Sequence, residues 1–146
     1  MNTFKIIFPS ESLHRSKSGS ITGRVVVKVG DFLFPGEGWS DFVVVILGWW
    51  LQEFHKLDGQ PKNEAIFRFM DGPYEIRIRN ADNQAATITC VEHRRVVIER
   101  HSATVSIAEI HAELLRVSKE LGVACDSHGW TSGDIETLRR EIASLL

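Results

Sequence analysis

Apolar and polar residues alternate along several short segments of this chain, a pattern typical of β-strands with one buried face. The alternation is most regular from Tyr74 to Arg79, where every second residue is charged. On this criterion the sequence predicts strands at Thr3–Phe8, Arg24–Val29, Ala65–Met70, Tyr74–Arg79, Ala86–Val91 and Arg95–His101. The short connection Asp71–Pro73 predicts that the third and fourth of these strands pair as a hairpin.

The most apolar run of the chain, Phe42 to Leu51, follows a loop rich in glycine and proline. Its three consecutive valines favour a strand. Helical spacing of apolar residues nevertheless continues past Gly48 to Leu57, and this length favours a helix. A helix that is apolar on nearly all sides is usually buried. We therefore expect Ser40–Leu57 to form a central buried helix packed on the sheet.

The residues before this run carry the signals of a helix start. Ser40 is a favoured N-cap residue, and Asp41 in the first turn would interact favourably with the helix dipole. Trp39 would then pack on Val44 as a hydrophobic staple. These signals predict that the helix fixes one end of the loop that contains Glu37.

Two further helices are predicted near the end of the chain. Ser106 and Glu109 have the spacing of a capping box, and apolar residues then recur every three or four positions up to Gly122, which we expect to end the helix. A last apolar stripe runs from Ile135 to Leu145. Between these helices, a loop is predicted to carry Trp130.

The predicted order is β-β-α-β-β-β-β-α-α. Consecutive strands joined by short turns favour antiparallel pairing, and helices covering one face give a two-layer arrangement. We expect residues 1–146 to form a single globular α+β domain, with an antiparallel sheet of about six strands and the helices packed on one face.

Composition narrows the classes of function. The formal net charge of -2 gives no basic field for nucleic acid. The longest apolar run is about half of the ~20 residues that a membrane-spanning helix needs, and the first residues lack the features of a secretory signal. Two cysteines in a chain of this length do not suggest a disulfide scaffold. We expect a cytoplasmic protein that binds neither nucleic acid nor membrane.

Two Cys-x-x-His pairs, Cys90/His93 and Cys125/His128, together contain the donors of a tetrahedral zinc site. Their spacing is not that of a zinc finger, and residues three apart on a strand point to opposite faces. Whether the two pairs converge stays open at this point. The cysteines are interpreted as buried thiols rather than as nucleophiles, and no metal or cofactor is predicted.

Acidic, basic and aromatic residues provide further candidates. Glu37, Asp41 and Asp71 could act as paired carboxylates in acid–base chemistry or hold a divalent ion. The simpler interpretation is two loop acids and a helix first-turn charge. Five arginines, at positions 77, 79, 94, 95 and 100, could form a basic stripe that binds an acidic partner or phosphate, and the simpler interpretation is a solvated strand face. Trp39 and Trp130 lie in loops, where aromatic residues are good anchors for a protein interface.

Three segments, Phe34–Phe42, Leu47–Leu51 and Phe69–Tyr74, resemble a group of small bacterial immunity proteins. These proteins belong to polymorphic-toxin or contact-dependent growth inhibition systems, and the resemblance covers about Val25–Arg79. It implies a cytoplasmic protein without enzymatic activity that binds and neutralises one cognate toxin domain by stoichiometric association.

The sequence therefore predicts a protein-binding site rather than a catalytic one. The expected partner-binding residues are Glu37, Trp39, Asp41, Asp71, Tyr74 and Trp130. Two alternatives stay open: a small metal-dependent hydrolase that uses Glu37, Asp71 or the Cys/His pairs, and a structural domain whose exposed sheet face forms a homodimer or another oligomer.

Overall fold

The computed structural model describes all residues from Met1 to Leu146, and it has the predicted α+β class. The ten strands are β1 Phe4–Ile7, β2 His14–Arg15, β3 Ile21–Arg24, β4 Val26–Val29, β5 Phe32–Phe34, β6 Ser40–Asp41, β7 Glu64–Arg68, β8 Tyr74–Asn80, β9 Ala85–His93 and β10 Val97–Ser106. The three helices are α1 Val43–Phe54, α2 Ile107–Ser127 and α3 Gly133–Leu145.

The strands form three antiparallel sheets, so the expectation of one sheet of about six strands is wrong. The sheets have the orders β1-β4-β5, β10-β9-β8-β7 and β2-β3-β6. The predicted strand Arg24–Val29 is divided at Val25, whose amide donates to the carbonyl of Trp39. Arg24 therefore ends β3 in one sheet, and Val26–Val29 form β4 in another.

The predicted hairpin at Asp71–Pro73 is confirmed. It joins β7 to β8, with Phe67 opposite Ile76 in the register. Both of these side chains are fully buried. Two further hairpins join β8 to β9 and β9 to β10, so four consecutive strands form the largest sheet through short turns alone.

Helix α1 is buried as predicted, although it begins later. Trp50 is fully buried, stacks on Phe67 at 5.3 Å between ring centroids, and donates from Nε1 to the Arg68 carbonyl at 2.8 Å. The expected N-cap at Ser40 is wrong, because Ser40 pairs with Arg24 in a two-residue strand. The N-cap residue is Phe42, which has no side-chain capping bond.

Glutamates on the helices satisfy the backbone of two edge strands. Glu53 of α1 accepts the amide of Ile66 on β7 at 2.9 Å. Glu109 and Glu113 of α2 accept the amides of Phe4 and Ile6 on β1, each at 2.9 Å. These bonds fasten the helices to the sheets and cover edges that would otherwise present unpaired amides.

Helix α2 has the predicted N-cap at Ser106, and α3 has an N-cap, Ser132, that was not predicted. Ser106 Oγ accepts the amide of Glu109, and Ser132 Oγ accepts the amide of Ile135. The expected stop at Gly122 is wrong, since α2 continues to Ser127. The buried side chain of Cys125 extends the apolar stripe by one more turn, and its burial outweighs the weak helix propensity of a single glycine.

One cluster of 31 buried apolar side chains, drawn from all three helices and most of the strands, forms the core. The helices are too short or too polar for any of them to cross a membrane.

Candidate functional site

A buried carboxylate joins two of the loops that the sequence singled out. Asp41 is 2% exposed, and its two oxygens accept hydrogen bonds from four donors. The indole Nε1 of Trp39 donates at 3.1 Å and the amide of Phe42 at 2.7 Å. The amides of Met70 and Asp71 donate at 3.3 Å and 3.1 Å from the turn between β7 and β8.

This arrangement changes the role expected of Asp41. Its carboxylate is neither in the first turn of α1 nor exposed to a partner, because it is surrounded by donors from its own chain. Buried polar groups that are fully hydrogen-bonded make a local structure rigid. Asp41 therefore positions the segment 35–41 against the turn 70–73, and other residues form the surface.

Trp39 and Tyr74 form the aromatic part of this surface. The sequence led us to expect that Trp39 packs on Val44 as a hydrophobic staple. This expectation is wrong, because α1 begins at Val43 and its N-cap is Phe42. The ring of Trp39 instead meets Tyr74 edge-on at 5.1 Å between centroids, and Tyr74 meets the fully buried Phe34 edge-on at 5.6 Å. Both Trp39 and Tyr74 are half-buried, so each has one side packed on the protein and one side open.

Gly72 allows the turn 70–73 to approach these rings. Its φ is +77°, a backbone conformation that residues with a Cβ rarely adopt. A Cβ at this position would also lie 2.8 Å from Tyr74 Cε2 and 2.9 Å from Trp39 Cη2. Close packing of the turn on the aromatic pair thus depends on glycine.

A third loop, which sequence reasoning did not assign to the site, lies beside the other two. The amide of His93, at the end of β9, donates to the carbonyl of Pro73 at 2.7 Å. Arg94, in the following turn, forms an ion pair with Glu92, and this bond and charge raise the pKa of its guanidinium. We call the surface formed by residues 35–39, 70–74 and 93–96 the three-loop surface.

The free acids of this surface are Glu37 and Asp71. Both side chains are exposed, and neither forms an ion pair or a side-chain hydrogen bond. Glu37 also borders an open groove of about 410 Å³. Asp71 is held by its backbone amide, which donates to Asp41. The loops are therefore fixed by backbone and buried groups, while these two carboxylates face solvent.

Trp130 does not contact the aromatic pair of the three-loop surface. It is half-buried in the connection between α2 and α3, where its ring stacks on His128 at 4.2 Å. Its amide donates to the carbonyl of Cys125. No hydrogen bond or ring contact joins it to Trp39 or Tyr74, so the six predicted residues do not form one cluster.

The two Cys/His pairs are separated within the fold. Cys90 is fully buried, and burial raises the pKa of its thiol to about 12. His93 lies on the other face of β9, where it forms an ion pair with Glu75. Burial also raises the pKa of Cys125, and His128 is exposed beside Trp130. No three His, Cys, Asp or Glu side chains are arranged to hold a metal ion.

Comparison with known proteins adds no identification: no family model, no curated protein and no solved structure matches this chain.

Proposed function

We propose that this chain is a cytoplasmic immunity protein, without turnover of its own, that binds and neutralises a cognate bacterial toxin domain through the three-loop surface. The observation that carries the proposal is the Asp41 network. It fixes the loop of Glu37 against the turn of Asp71 and places the Trp39–Tyr74 pair between them.

Rigidity is the first argument for a binding role. Association costs free energy for each side chain and loop that must be ordered at the interface. Trp39 is already held by its bond to Asp41 and by Tyr74, and the turn 70–73 is held by two amides. Little ordering is then left for the moment of docking, which favours tight association.

The residue types are the second argument. Tryptophan, tyrosine and arginine are enriched among the residues that contribute most to protein interfaces. The three-loop surface contains one of each close together, at Trp39, Tyr74 and Arg94, and Arg94 is already paired with Glu92. Aromatic groups with one packed side and one open side can bury further area without unfolding the loop.

The free acids suggest the charge of the partner. Toxin domains that act on nucleic acid carry positive charge around their active sites, and complementary charge speeds association and selects the partner. Glu37 and Asp71 are exposed and unpaired, so they are available to a basic surface. The proposed partner is therefore a toxin domain that presents lysine or arginine at the contact.

The test is co-expression with the toxin domain encoded next to this gene, followed by pull-down and growth rescue. We expect a stable complex and rescue by the wild-type chain. Glu37→Lys should weaken binding with little change in stability, because the side chain is exposed and forms no ion pair or hydrogen bond within the chain. Asp31→Lys is the matched control. Asp31 is also an exposed acid, but it precedes β5 and is not part of the three-loop surface.

Two results would contradict the proposal. The first is the absence of binding and rescue with every neighbouring toxin domain. The second is a metal-dependent hydrolysis by the purified protein that is lost in Glu37→Ala and retained in Asp31→Ala. The second result would favour the hydrolase alternative over a stoichiometric inhibitor.

A further inference from the structure

One face of the largest sheet is left uncovered by the helices. On β7 and β8, the side chains of one face, such as Phe67, Ile76 and Ile78, are fully buried in the core. The alternate residues point the other way, and among them Arg68 and Arg79 are exposed. We call this second side, formed by β7, β8, β9 and β10, the outer face.

Register places the outer face in rows across all four strands. One row contains Glu64, Arg79, Thr87 and Thr104. The next row begins at Ile66 and continues through Arg77, Thr89 and Ser102. Side chains that are directly opposite on an antiparallel pair lie about 5 Å apart. Arginines on β8 are thus next to a strip of hydroxyl groups on β9 and β10.

Two of the arginines have no partner within the chain. Arg68 and Arg79 form no ion pair, whereas Arg77 Nε lies 3.3 Å from Glu75 Oε2. A guanidinium has five N–H donors in a planar fork that fits a carboxylate in two-point contact. Because the chain as a whole has a net charge of -2, this group of arginines is a local feature and not a consequence of composition.

The same face contains features that disfavour nucleic acid. Glu64 and Glu99 lie on it among the arginines, and they would repel a continuous line of phosphates. The strand residues of this face include no phenylalanine, tyrosine or tryptophan on which successive bases could stack, which is the usual basis of single-strand binding, and Trp49 of α1 borders only its Arg68 edge. Separate positive charges instead fit a protein segment whose carboxylates are spaced to reach Arg68 and Arg79 without lying against Glu64 and Glu99.

We propose that the outer face docks a protein segment with spaced carboxylates, which bind Arg68 and Arg79 while hydroxyls such as Thr87 donate further hydrogen bonds. This proposal does not depend on the identity of the partner of the three-loop surface. It assigns a second contact area with the opposite charge preference, since the three-loop surface presents the free acids Glu37 and Asp71.

The test is an NMR titration of the ¹⁵N-labelled full chain with a capped decapeptide of alternating glutamate and serine. We expect saturable amide shifts on the outer face of β7, β8 and β9. The double variant Arg68→Glu/Arg79→Glu should weaken binding about tenfold or more, as expected for loss of charge-assisted hydrogen bonds. The matched control is Arg15→Glu/Arg140→Glu, because both arginines are exposed and unpaired elsewhere.

Other results would overturn the proposal. A lysine–serine decapeptide that binds equally well would remove the charge argument. Equal or tighter binding of a thymidine decanucleotide or of inorganic phosphate would make the face a phosphate site. Shifts that appear on dilution without peptide would assign the face to a second copy of the chain. A melting temperature near that of the wild type shows that the double variant is folded, so its loss of binding is a surface effect.

Discussion

The three-loop surface and the outer face differ in how far their shape depends on charged groups. In the three-loop surface, the buried Asp41 holds the backbone, and Glu92 holds Arg94. On the outer face, Arg68 and Arg79 stand on a regular sheet and have no partner in the chain. Loops need internal polar bonds to acquire one shape, whereas a sheet already has one. The sheet can therefore leave Arg68 and Arg79 free, while Arg77 and His93 pair with Glu75.

The largest loss of stability is expected from Trp50→Ala, a substitution in the core beneath both surfaces. Trp50→Ala would remove the side chain that stacks on Phe67 and bonds to the Arg68 carbonyl, below the outer face and next to the β7–β8 turn. We expect a loss of roughly 3–5 kcal/mol in the free energy of unfolding. Urea denaturation followed by circular dichroism measures it. A loss below about 1 kcal/mol would contradict the central place given to α1.

The next effect separates the two surfaces. Asp41→Ala would remove the buried acceptor of the Trp39 indole and of the Met70 and Asp71 amides. We expect a loss of about 3 kcal/mol in stability and the loss of toxin binding. Amide shifts in NMR spectra should concentrate in residues 35–41 and 69–74 and leave the outer face of β9 unchanged. Shifts spread evenly over both regions would show that the carboxylate does not act locally.

A smaller change tests the fit between the turn and the aromatic pair. Gly72→Ala would place a Cβ against Tyr74 and Trp39 at a positive φ. We expect a loss of roughly 2–3 kcal/mol, of which about 1–2 kcal/mol is the cost of the positive φ and the rest the cost of the ring contacts, with weaker toxin binding and unchanged peptide binding at the outer face. Gly59→Ala is the matched control, because Gly59 also has a positive φ but has open space around it. Equal losses in the two variants would attribute the effect to backbone strain alone.

Periodicity predicted those parts of the fold that depend on neighbours in the sequence. The spacing of Val43, Leu47 and Trp50 was sufficient to predict a buried helix, and the spacing of Ser106 and Glu109 was sufficient to predict the start of α2. The strands β5 and β6 were missed because two or three residues are too few to show an alternation. Pairing with β4 and β3, not local pattern, makes them strands.

The candidate site was predictable only in part, because its bonds join distant residues. Glu37, Trp39, Asp71 and Tyr74 were found from loop composition. That Asp41 would be buried depended on amides about thirty residues away in the sequence, at Met70 and Asp71. The contribution of Arg94 was missed because an arginine in a turn carries no local signal that it will lie beside Pro73 and Tyr74.

The smallest effect concerns Glu75, where the two surfaces meet. This carboxylate is 7% exposed on the outer face, and its partner His93 bonds through its amide to Pro73 of the three-loop surface. Burial alone would raise the pKa of Glu75, but hydrogen bonds and charge from His93 and Arg77 outweigh burial and lower it below the ordinary 4.5. Folding therefore favours the ionised form of Glu75.

The sign of the pH dependence follows from this lowered pKa. A carboxyl with a lower pKa in the folded state contributes stability above its unfolded pKa, and the contribution is lost as the pH falls through the folded value. Glu75→Gln should therefore be less stable than the wild type at about pH 7, by roughly 1 kcal/mol for a partly exposed pair. The difference between the two proteins should shrink as the pH falls below 4.5. Urea titrations of both proteins across this pH range measure the difference in their free energies of unfolding. Contributions from acids that are common to both proteins drop out of this difference. A difference that stays constant with pH would show that the glutamate contributes by packing rather than by charge, and that the two surfaces are not joined by an ion pair.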